Sequence, residues 1–600
     1  MTRRIFAALA VPRRLGLALG AAVLGSIIVY LVLVARMFPE HRLGDDYEYF
    51  LPMLLAGKYW IAQNGLLAAP RFSPAFCAGL PFLANPQSMF YSVPQELSLA
   101  VDPVRSFLAT TVAFTAIGAV GTYALLRRRF GTSVPAACLS AVLFLLNGFV
   151  LHRMASGHAT YHAMGLAPVL AYALLTPLEG SLARFAGATG IAAAILAYFV
   201  YAGAVNMLVP LGITMLAIWC IQSLARPALW SFWPLGCAAS VVGAAAAAAK
   251  LAPALVFVHN FPRAHEIVLF DSPLELAHAL FMGFFLPNLL PDHFWVVGRH
   301  EFQFGLGLVP LLLLLAAYHR FRSTRSLRGI ASASWAKLAL LGCLLAVPIA
   351  VNLGGSEYAA WLKSLPYVGD NVILVRWFVI YLLPLIVGVG LALDFVFKSP
   401  ALRTRAALAG VLITALPPLV LDGPLYDLGP YDAAPTMAAN ETLEATRGVP
   451  PIVAIGNTEA QAARGDALGA GHSSVPCYEP LFGYRLESFP SGLVEGPILA
   501  EGSSAHLRNP ACYIYGDENH CRPGEAFTST QREDEAAFAA YRPFSYVLPN
   551  WQRWADRVTA LGLIGILLLG LAPIAARLSR ASGARARVKE SAAVASDLSL

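Results

Sequence analysis

The chain has 600 residues, of which 58% are hydrophobic and only 13% are charged, and its mean hydropathy is +0.62. Soluble domains carry about 25% charged residues, so these values exclude a soluble globular protein of this length. The net charge of +7 does not indicate a nucleic-acid partner, because the basic residues recur in short clusters between long apolar runs instead of forming one patch.

Twelve apolar segments are long enough to cross, or nearly cross, a bilayer. They lie at residues 15–37, 105–126, 134–151, 163–178, 185–201, 205–221, 230–249, 304–318, 335–351, 375–396, 406–421 and 558–576. Pro168, Pro210, Pro310 and Pro384 lie inside these segments, and neighbouring helices can satisfy the backbone groups that such prolines leave free. The sequence therefore predicts an all-α polytopic membrane protein with about 12 transmembrane helices.

The distribution of Lys and Arg predicts the orientation of these segments. Arg3, Arg4, Arg13 and Arg14 come before or at the start of the first one, so the positive-inside rule places the N-terminus in the cytoplasm. If the spans alternate, the cytoplasmic side holds 22 of the 42 basic residues and four acidic residues, a net charge of +18 against −11 outside. Both termini are expected in the cytoplasm, and the bacterial inner membrane is the expected location.

The same topology places the longest polar segments outside. The first outer loop covers residues 38–104, and a second region covers residues 422–557. Turn signals and short apolar runs in the second region favour a small extracytoplasmic domain that is β-rich or α+β. The multi-pass domain then covers residues 1–421, the last transmembrane helix residues 558–576, and a cytoplasmic tail residues 577–600.

Cysteines in the predicted outer regions are candidates for disulfide bonds. Cys512 and Cys521 are nine positions apart, on the side of the membrane where disulfides persist, and we expect them to be bridged. Cys77 and Cys477 form a second candidate pair. The remaining four lie in apolar segments and are expected to be small apolar fillers: Cys138, Cys220, Cys237 and Cys343.

Two adjacent carboxylates, Asp45 and Asp46, follow the first apolar segment and open the long outer loop. An acidic pair at such a position is often only a solvated start of a loop. Here Tyr47, Tyr49 and Phe50 provide the aromatic residues typical of the membrane interface, and the loop continues for about fifty residues. Long loops with structure of their own are often functional, so the pair is a candidate catalytic site.

Five short motifs, beginning with this acidic pair, follow one another along the membrane part of the chain. They are Asp45-Asp46 with Tyr49 and Pro52, Gly79-Leu80-Pro81-Phe82 with Asn85-Pro86, Gly157-His158, Glu301 with Gly305 and Gly307, and Leu365-Pro366 followed by Val375-Arg376-Trp377. In order and placement, these motifs resemble the GT-C superfamily of membrane glycosyltransferases, and within it the bacterial YfhO-type proteins.

The resemblance implies transfer of a sugar from a polyprenyl-phosphate donor to an envelope glycan or lipid acceptor on the outer face of the membrane. Asp46 or Asp45 would be the general base that takes the proton of the acceptor hydroxyl. The leaving phosphate needs cations, and candidates at outer helix ends or in outer loops are Arg376, Lys250 and Arg263. Such residues also often extend to lipid headgroups without a catalytic role.

Four other residues of the outer segments are candidates for substrate binding: Glu301, His158, His162 and Arg71. The two histidines are four positions apart and could share one helical face, which suits metal binding as well as hydrogen bonding to an acceptor. Glu301 either binds substrate or orients its own loop. The sequence fixes no cofactor, because Asp45 and Asp46 could hold a divalent ion, Mg²⁺ or Mn²⁺, as well as share catalysis.

Two alternative functions stay open. A secondary transporter or flippase of a lipid-linked or small polar substrate would also be a helical bundle. Such a protein should show internal repeats and ionisable residues near the bilayer midplane, whereas the charges here lie at the outer edge. A noncatalytic envelope-assembly protein would use the outer domain for binding alone. Replacing Asp45 and Asp46 together by alanine separates an enzyme from a scaffold, because only the enzyme should lose its glycan product.

Overall fold

A computed structural model describes residues 13–38, 42–263, 267–289, 299–324, 332–371, 373–421, 431–456, 466–475 and 493–597. Helices dominate, and each strand in these residues is only two residues long. The α-helices are α1 Arg13–Arg36, α2 Tyr47–Asn64, α3 Val93–Leu97, α4 Pro103–Ala124, α5 Val134–Leu145, α6 Gly148–Ser156, α7 Ala167–Leu174, α8 Leu182–Tyr201, α9 Leu208–Ala225, α10 Phe232–Ala246, α11 Ala248–Asn260, α12 Pro273–Phe285, α13 Leu308–Thr324, α14 Ser332–Ala350, α15 Ser356–Ser364, α16 Leu382–Val396, α17 Pro400–Leu421, α18 Ala434–Thr446, α19 Cys512–Asn519, α20 Arg532–Ala539 and α21 Asn550–Asp597.

Seven helical segments among the described residues are long and apolar enough to cross a membrane, and a helix pair bent by 78° would be an eighth. The seven are Arg13–Arg36, Pro103–Phe130, Val134–Ser156, Leu182–Tyr201, Val205–Ala225, Leu374–Val396 and Asn550–Ser579, and the bent pair is α10 with α11. Their leucines are widely exposed, for example Leu24 at 59% and Leu561 at 69%, as expected where lipid covers the surface. The chain is therefore an α-helical, membrane-embedded protein, as its composition predicts.

The other four predicted segments also contain helices. Residues 163–178 hold α7, which has only eight residues, and the remaining three correspond to α13, α14 and α17. Length and composition therefore establish seven or eight candidate spans in the described chain. The count of twelve crossings stays a prediction.

The span predicted at residues 134–151 is broken near its C-terminal end. α5 ends at Leu145, and the side chain of Asn147 accepts a hydrogen bond from the backbone N–H of Val150 (3.0 Å), which caps the start of α6. At the break, Gly148 packs against Gly305, where an added Cβ atom would lie 3.0 Å from backbone atoms. The break therefore lets the segment before α13 approach α6, and this contact positions the site described below.

Two long stretches fold together into a cap at one end of the bundle, formed by residues 42–102 and by the described part of 431–549. Strand β1 (Arg42–Leu43) pairs antiparallel with β4 (Tyr431–Asp432), and the bridge between Phe76 and Ser474 is a second connection. Residues of both stretches form one hydrophobic cluster, which includes Leu43, Phe82, Tyr513 and Phe538. The first long loop and the C-terminal region thus share a single core.

The remaining strands of the cap are short. β2 (Phe72–Ser73) and β3 (Leu80–Pro81) form an antiparallel pair within the first stretch. In the second stretch, β5 (Ala454–Ile455) pairs parallel with β6 (His472–Ser473) and antiparallel with β7 (Gly496–Pro497). The cap is therefore held mainly by side-chain packing and loop contacts, because two-residue ladders supply few hydrogen bonds.

The predicted disulfide bond between Cys512 and Cys521 is confirmed, with 5.5 Å between the Cα atoms. Cys77 is disulfide-bonded as well, and Cys477, its candidate partner from the sequence, lies outside the described residues. The four cysteines of the apolar segments are free. Cys220 is buried and Cys138 half-buried, as expected of small fillers, whereas Cys237 and Cys343 are exposed on the helix surface.

Replacing both Cys512 and Cys521 by serine is expected to lower the free energy of unfolding of the cap by about 2 to 4 kcal/mol, because the bridge no longer restricts the unfolded chain. Denaturant unfolding of the purified protein in detergent, followed by tyrosine and tryptophan fluorescence, measures this loss. Replacing the free Cys343 by serine is the matched control. A double variant as stable as this control would contradict the prediction.

Candidate functional site

Asp46 lies immediately before α2, where the chain contacts the end of α6. Its backbone N–H donates to the carbonyl of Ser156 (3.1 Å). Gly157 ends α6 with φ +95°, and an added Cβ atom there would lie 2.5 Å from the backbone nitrogen of Tyr47. Glycine is required on both counts, the left-handed conformation and the lack of space. This close contact brings Asp46 beside His158.

His158 and Asp46 form a pair at this contact. Nε2 of His158 lies 2.9 Å from Oδ2 of Asp46. His158 is 8% exposed, whereas the Asp46 side chain is 22% exposed and so can be reached from outside. The ring of His300 packs edge-to-face on that of His158, with 4.6 Å between the ring centroids. Asp45 is exposed, so the structure separates the two adjacent aspartates.

A buried network of charges adjoins this pair. The carboxylate of Glu301 accepts hydrogen bonds from Nε of Arg376 at 2.9 and 3.0 Å, from Nη2 of Arg376, and from Nη2 of Arg153 at 3.0 Å. Nε2 of His300 lies 3.5 Å from Oε1 of Glu301 and links the network to His158. The network is therefore continuous from Asp46 to Arg153.

Arg153 is fully buried and holds the segment that carries His300 and Glu301. Its guanidinium donates to the backbone carbonyls of both residues, each at 3.1 Å. The same group lies 4.1 Å from the centre of the Phe149 ring, which is a cation–π contact. Arg153 thus ties α6 to the chain before α13 through its charge and its hydrogen bonds.

The charges of the site follow from these contacts. Burial alone would raise the pKa of Asp46, but His158, Arg376 and His300 outweigh it and hold that pKa below its ordinary value. Burial likewise opposes ionisation of Glu301, yet Arg376 and Arg153 hold its pKa well below the usual range. Burial lowers the pKa of His158. At neutral pH the site therefore contains two carboxylates, two guanidinium groups and a neutral His158.

All these groups lie where one end of the bundle meets the cap. Asp46 follows the C-terminal end of α1, and His158 follows the C-terminal end of the segment Val134–Ser156. Arg376 lies at the N-terminal end of the segment Leu374–Val396. Ends of several candidate spans therefore converge on one cluster, which is an arrangement suited to a site at a membrane surface.

An apolar cavity of about 410 Å³ is lined by residues close in the chain to the cluster, although Asp46, Arg153, His158, Glu301 and Arg376 do not line it. Leu151 and His152 of α6 line it, directly before Arg153 in the chain, and so do Gly305 and Leu306 of the segment that follows Glu301. Its remaining lining comes mainly from α13, α17 and the chain after α12.

Four residues predicted from the sequence come together in this site: Asp46, His158, Glu301 and Arg376. Two others lie elsewhere in the core. His162 bonds through its ring nitrogens to the carbonyl of Ala159 and to the hydroxyl of Tyr198, each at 2.7 Å. It does not share an α-helical face with His158, because Gly157 ends α6 and residues Ala159–Leu166 form a 3-10 helix. Lys250 is buried, and its Nζ donates to the carbonyl of Ser88 at 2.5 Å.

The last two predicted cations belong to other contacts. Nη2 of Arg71 lies 2.6 Å from Oδ2 of Asp556, a pair that connects the cap to α21. The positive charge of Arg263 attracts the carboxylate of Asp370 and repels the ammonium group of Lys363, near α15. Neither contact involves Asp46 or Glu301.

Two residues of the site were not selected as candidates from the sequence, namely Arg153 and His300. Arg153 lies two positions after the segment predicted at residues 134–151, and only the structure places it inside a helix, α6. His300 was marked only by its position next to Glu301. The pairing of both with Glu301 depends on the approach of the chain before α13 to α6, which no local pattern predicts.

In comparisons with known proteins, no family model, no curated protein and no solved structure matches this chain.

Proposed function

We propose that this protein is a membrane glycosyltransferase of the GT-C kind that moves a sugar from a polyprenyl-phosphate donor to an envelope glycan or lipid acceptor. The observation that carries the proposal is the placement of Asp46. An ionised and partly exposed carboxylate lies beside a buried cluster that contains two guanidinium groups, where several candidate spans end. A base next to a phosphate-binding cation is what this transfer requires.

Asp46 acts as the general base. As the acceptor hydroxyl oxygen bonds to the anomeric carbon, its proton passes to the Asp46 carboxylate. The bond between the anomeric carbon and the phosphate oxygen breaks, and its electron pair stays on that oxygen. A carboxylate of lowered pKa serves here because the hydroxyl becomes acidic only as the new bond forms. His158 holds the carboxylate in position through the 2.9 Å contact.

Arg376 binds the phosphate. Its Nε and Nη2 hold Glu301, so the N–H groups of Nη1 are left for an anionic ligand. The Arg376 side chain is 19% exposed, whereas that of Arg153 is completely buried. Arg376 is therefore the cation that a donor phosphate can reach, and Arg153 fixes the geometry behind it.

The apolar cavity beside α6 accommodates the first isoprene units of the donor. Its volume of about 410 Å³ suits part of a lipid chain, and its lining is almost entirely apolar. With the phosphate at Arg376, the hydrocarbon would extend along α6 and α17 into the bilayer.

The function is tested by the envelope glycolipids and polysaccharides of a deletion strain. Mass spectrometry should show loss of one sugar substituent, and the gene for the intact protein should restore it. The gene for the Asp46→Asn variant should fail to restore it at equal membrane abundance. Full restoration by that variant would instead support the noncatalytic assembly role.

The proposal includes twelve crossings, with both termini in the cytoplasm and the cap outside. The disulfide bond in the cap supports this orientation, because disulfides persist outside the cytoplasm. Glu501 lies exposed in the cap. In a background without the four free cysteines, cysteine at position 501 should react in intact cells with a maleimide that does not cross membranes. Cysteine replacing Arg577 should react only after the cells are lysed, and the reverse pattern would contradict this topology.

A further inference from the structure

The two imidazoles of the site lie close to a carboxylate in a way that the proposed transfer does not require. One donor atom each from His158, His300 and Glu301 lie within 4.8 Å of one another. Donors bound to one transition-metal ion at about 2.0 to 2.2 Å lie about 3 to 4 Å apart. Small side-chain movements would therefore bring the three donors around a single ion.

The contact with Asp46 orients His158 for binding such an ion. An ionised carboxylate only accepts hydrogen bonds, so the nitrogen that faces Asp46, Nε2, carries the proton of the neutral ring. Nδ1 then has a free lone pair, and it is buried without a hydrogen-bond partner among the residues that the structure describes. A carboxylate that holds the far nitrogen of a histidine is the usual support of a metal-binding imidazole.

Glu301 can contribute an oxygen if Arg376 gives up its contacts to that oxygen. Its two oxygens accept four hydrogen bonds, three of them from Arg376. Arg376 is the more exposed of the two arginines and is the one that can turn away. Coordination by Glu301 would thus release part of the Arg376 guanidinium toward a bound anion.

We propose that His158, His300 and Glu301 bind a divalent transition-metal ion of the Zn²⁺ or Mn²⁺ class, with Asp46 orienting His158. Two imidazoles and one carboxylate favour such ions over Mg²⁺, which prefers oxygen ligands. Two carboxylates already balance two guanidinium groups in the site, so the ion adds a charge of +2 that suits an anionic phosphate. That last role rests on the proposed function, whereas binding of the ion does not.

Metal content of the purified full-length protein tests the proposal. The protein in detergent is stripped with EDTA, dialysed against Mn²⁺ or Zn²⁺, and analysed by elemental mass spectrometry. The wild type should hold about one ion per chain. His300→Ala and His300→Gln should bind at least roughly tenfold more weakly, as expected for a lost contact in a metal site. The second variant keeps the side-chain volume if the first folds poorly.

His259→Ala is the matched control, because His259 is an exposed histidine on α11 and is not one of the three proposed ligands. It should retain the ion. Pulsed EPR of the Mn²⁺-loaded protein should show nitrogen coupling from bound imidazole, and this coupling should weaken in the His300 variants. Equal metal content in the wild type and both His300 variants, or no bound ion with either metal, would overturn the proposal. These measurements need no transferase assay, so the metal site and the transfer reaction can fail independently.

Discussion

Asp46→Asn is expected to reduce sugar transfer by roughly 10²- to 10⁴-fold, the contribution typical of a general base. Asparagine preserves the shape and can still contact His158, but it cannot accept the proton of the acceptor hydroxyl. The measurement is the initial rate of transfer from a polyprenyl-phosphate sugar by the purified protein. The donor KM should change little, because the proposed role of Asp46 concerns the acceptor.

Asp45→Asn is the matched control for this experiment. The residue is adjacent, of the same type and exposed, whereas Asp46 pairs with His158. Asp45→Asn should therefore keep the rate within about twofold. If both variants lost activity equally, the assignment of the base to Asp46 would be wrong, and if neither did, the general-base mechanism itself would fail.

Glu301→Gln is expected to destabilise the protein strongly, by about 3 to 5 kcal/mol, because it leaves Arg153 and Arg376 without their shared counter-charge. Arg153 is completely buried and cannot recover the loss by solvation. Denaturant unfolding in detergent micelles measures the change. Adding Arg153→Met to the Glu301→Gln variant should recover part of the loss, since it removes the stranded charge.

An exposed ion pair provides the control for this prediction. Glu179 and Arg184 are paired, but their side chains are 68% and 53% exposed. Glu179→Gln should change the free energy of unfolding by less than about 1 kcal/mol. Equal and small effects of the two glutamine variants would show that Glu301 does not hold the site together.

The sequence could not separate Asp45 from Asp46, because adjacent residues of one type have the same chemistry and the same distance from the first span. The contact that separates them is the approach of Gly157 to the backbone at Tyr47. Spacing also misplaced His162, because it assumed a continuous α-helix after His158. Gly157 ends the helix, and the 3-10 helix that follows turns His162 toward Tyr198.

The sequence by itself determined the class of the protein, the positions of its apolar helices and the bridge between Cys512 and Cys521. These features depend on the length of an apolar run and on short spacing, which are local properties. Only the tertiary structure decided which charges meet. Glu301 is 148 positions from Arg153 and 75 from Arg376, and their pairing requires the break before α6 and the close packing of Gly148 against Gly305. A buried charge is stable only beside an opposite charge. Helix packing determines which opposite charge lies beside it, and no local sequence pattern predicts that packing.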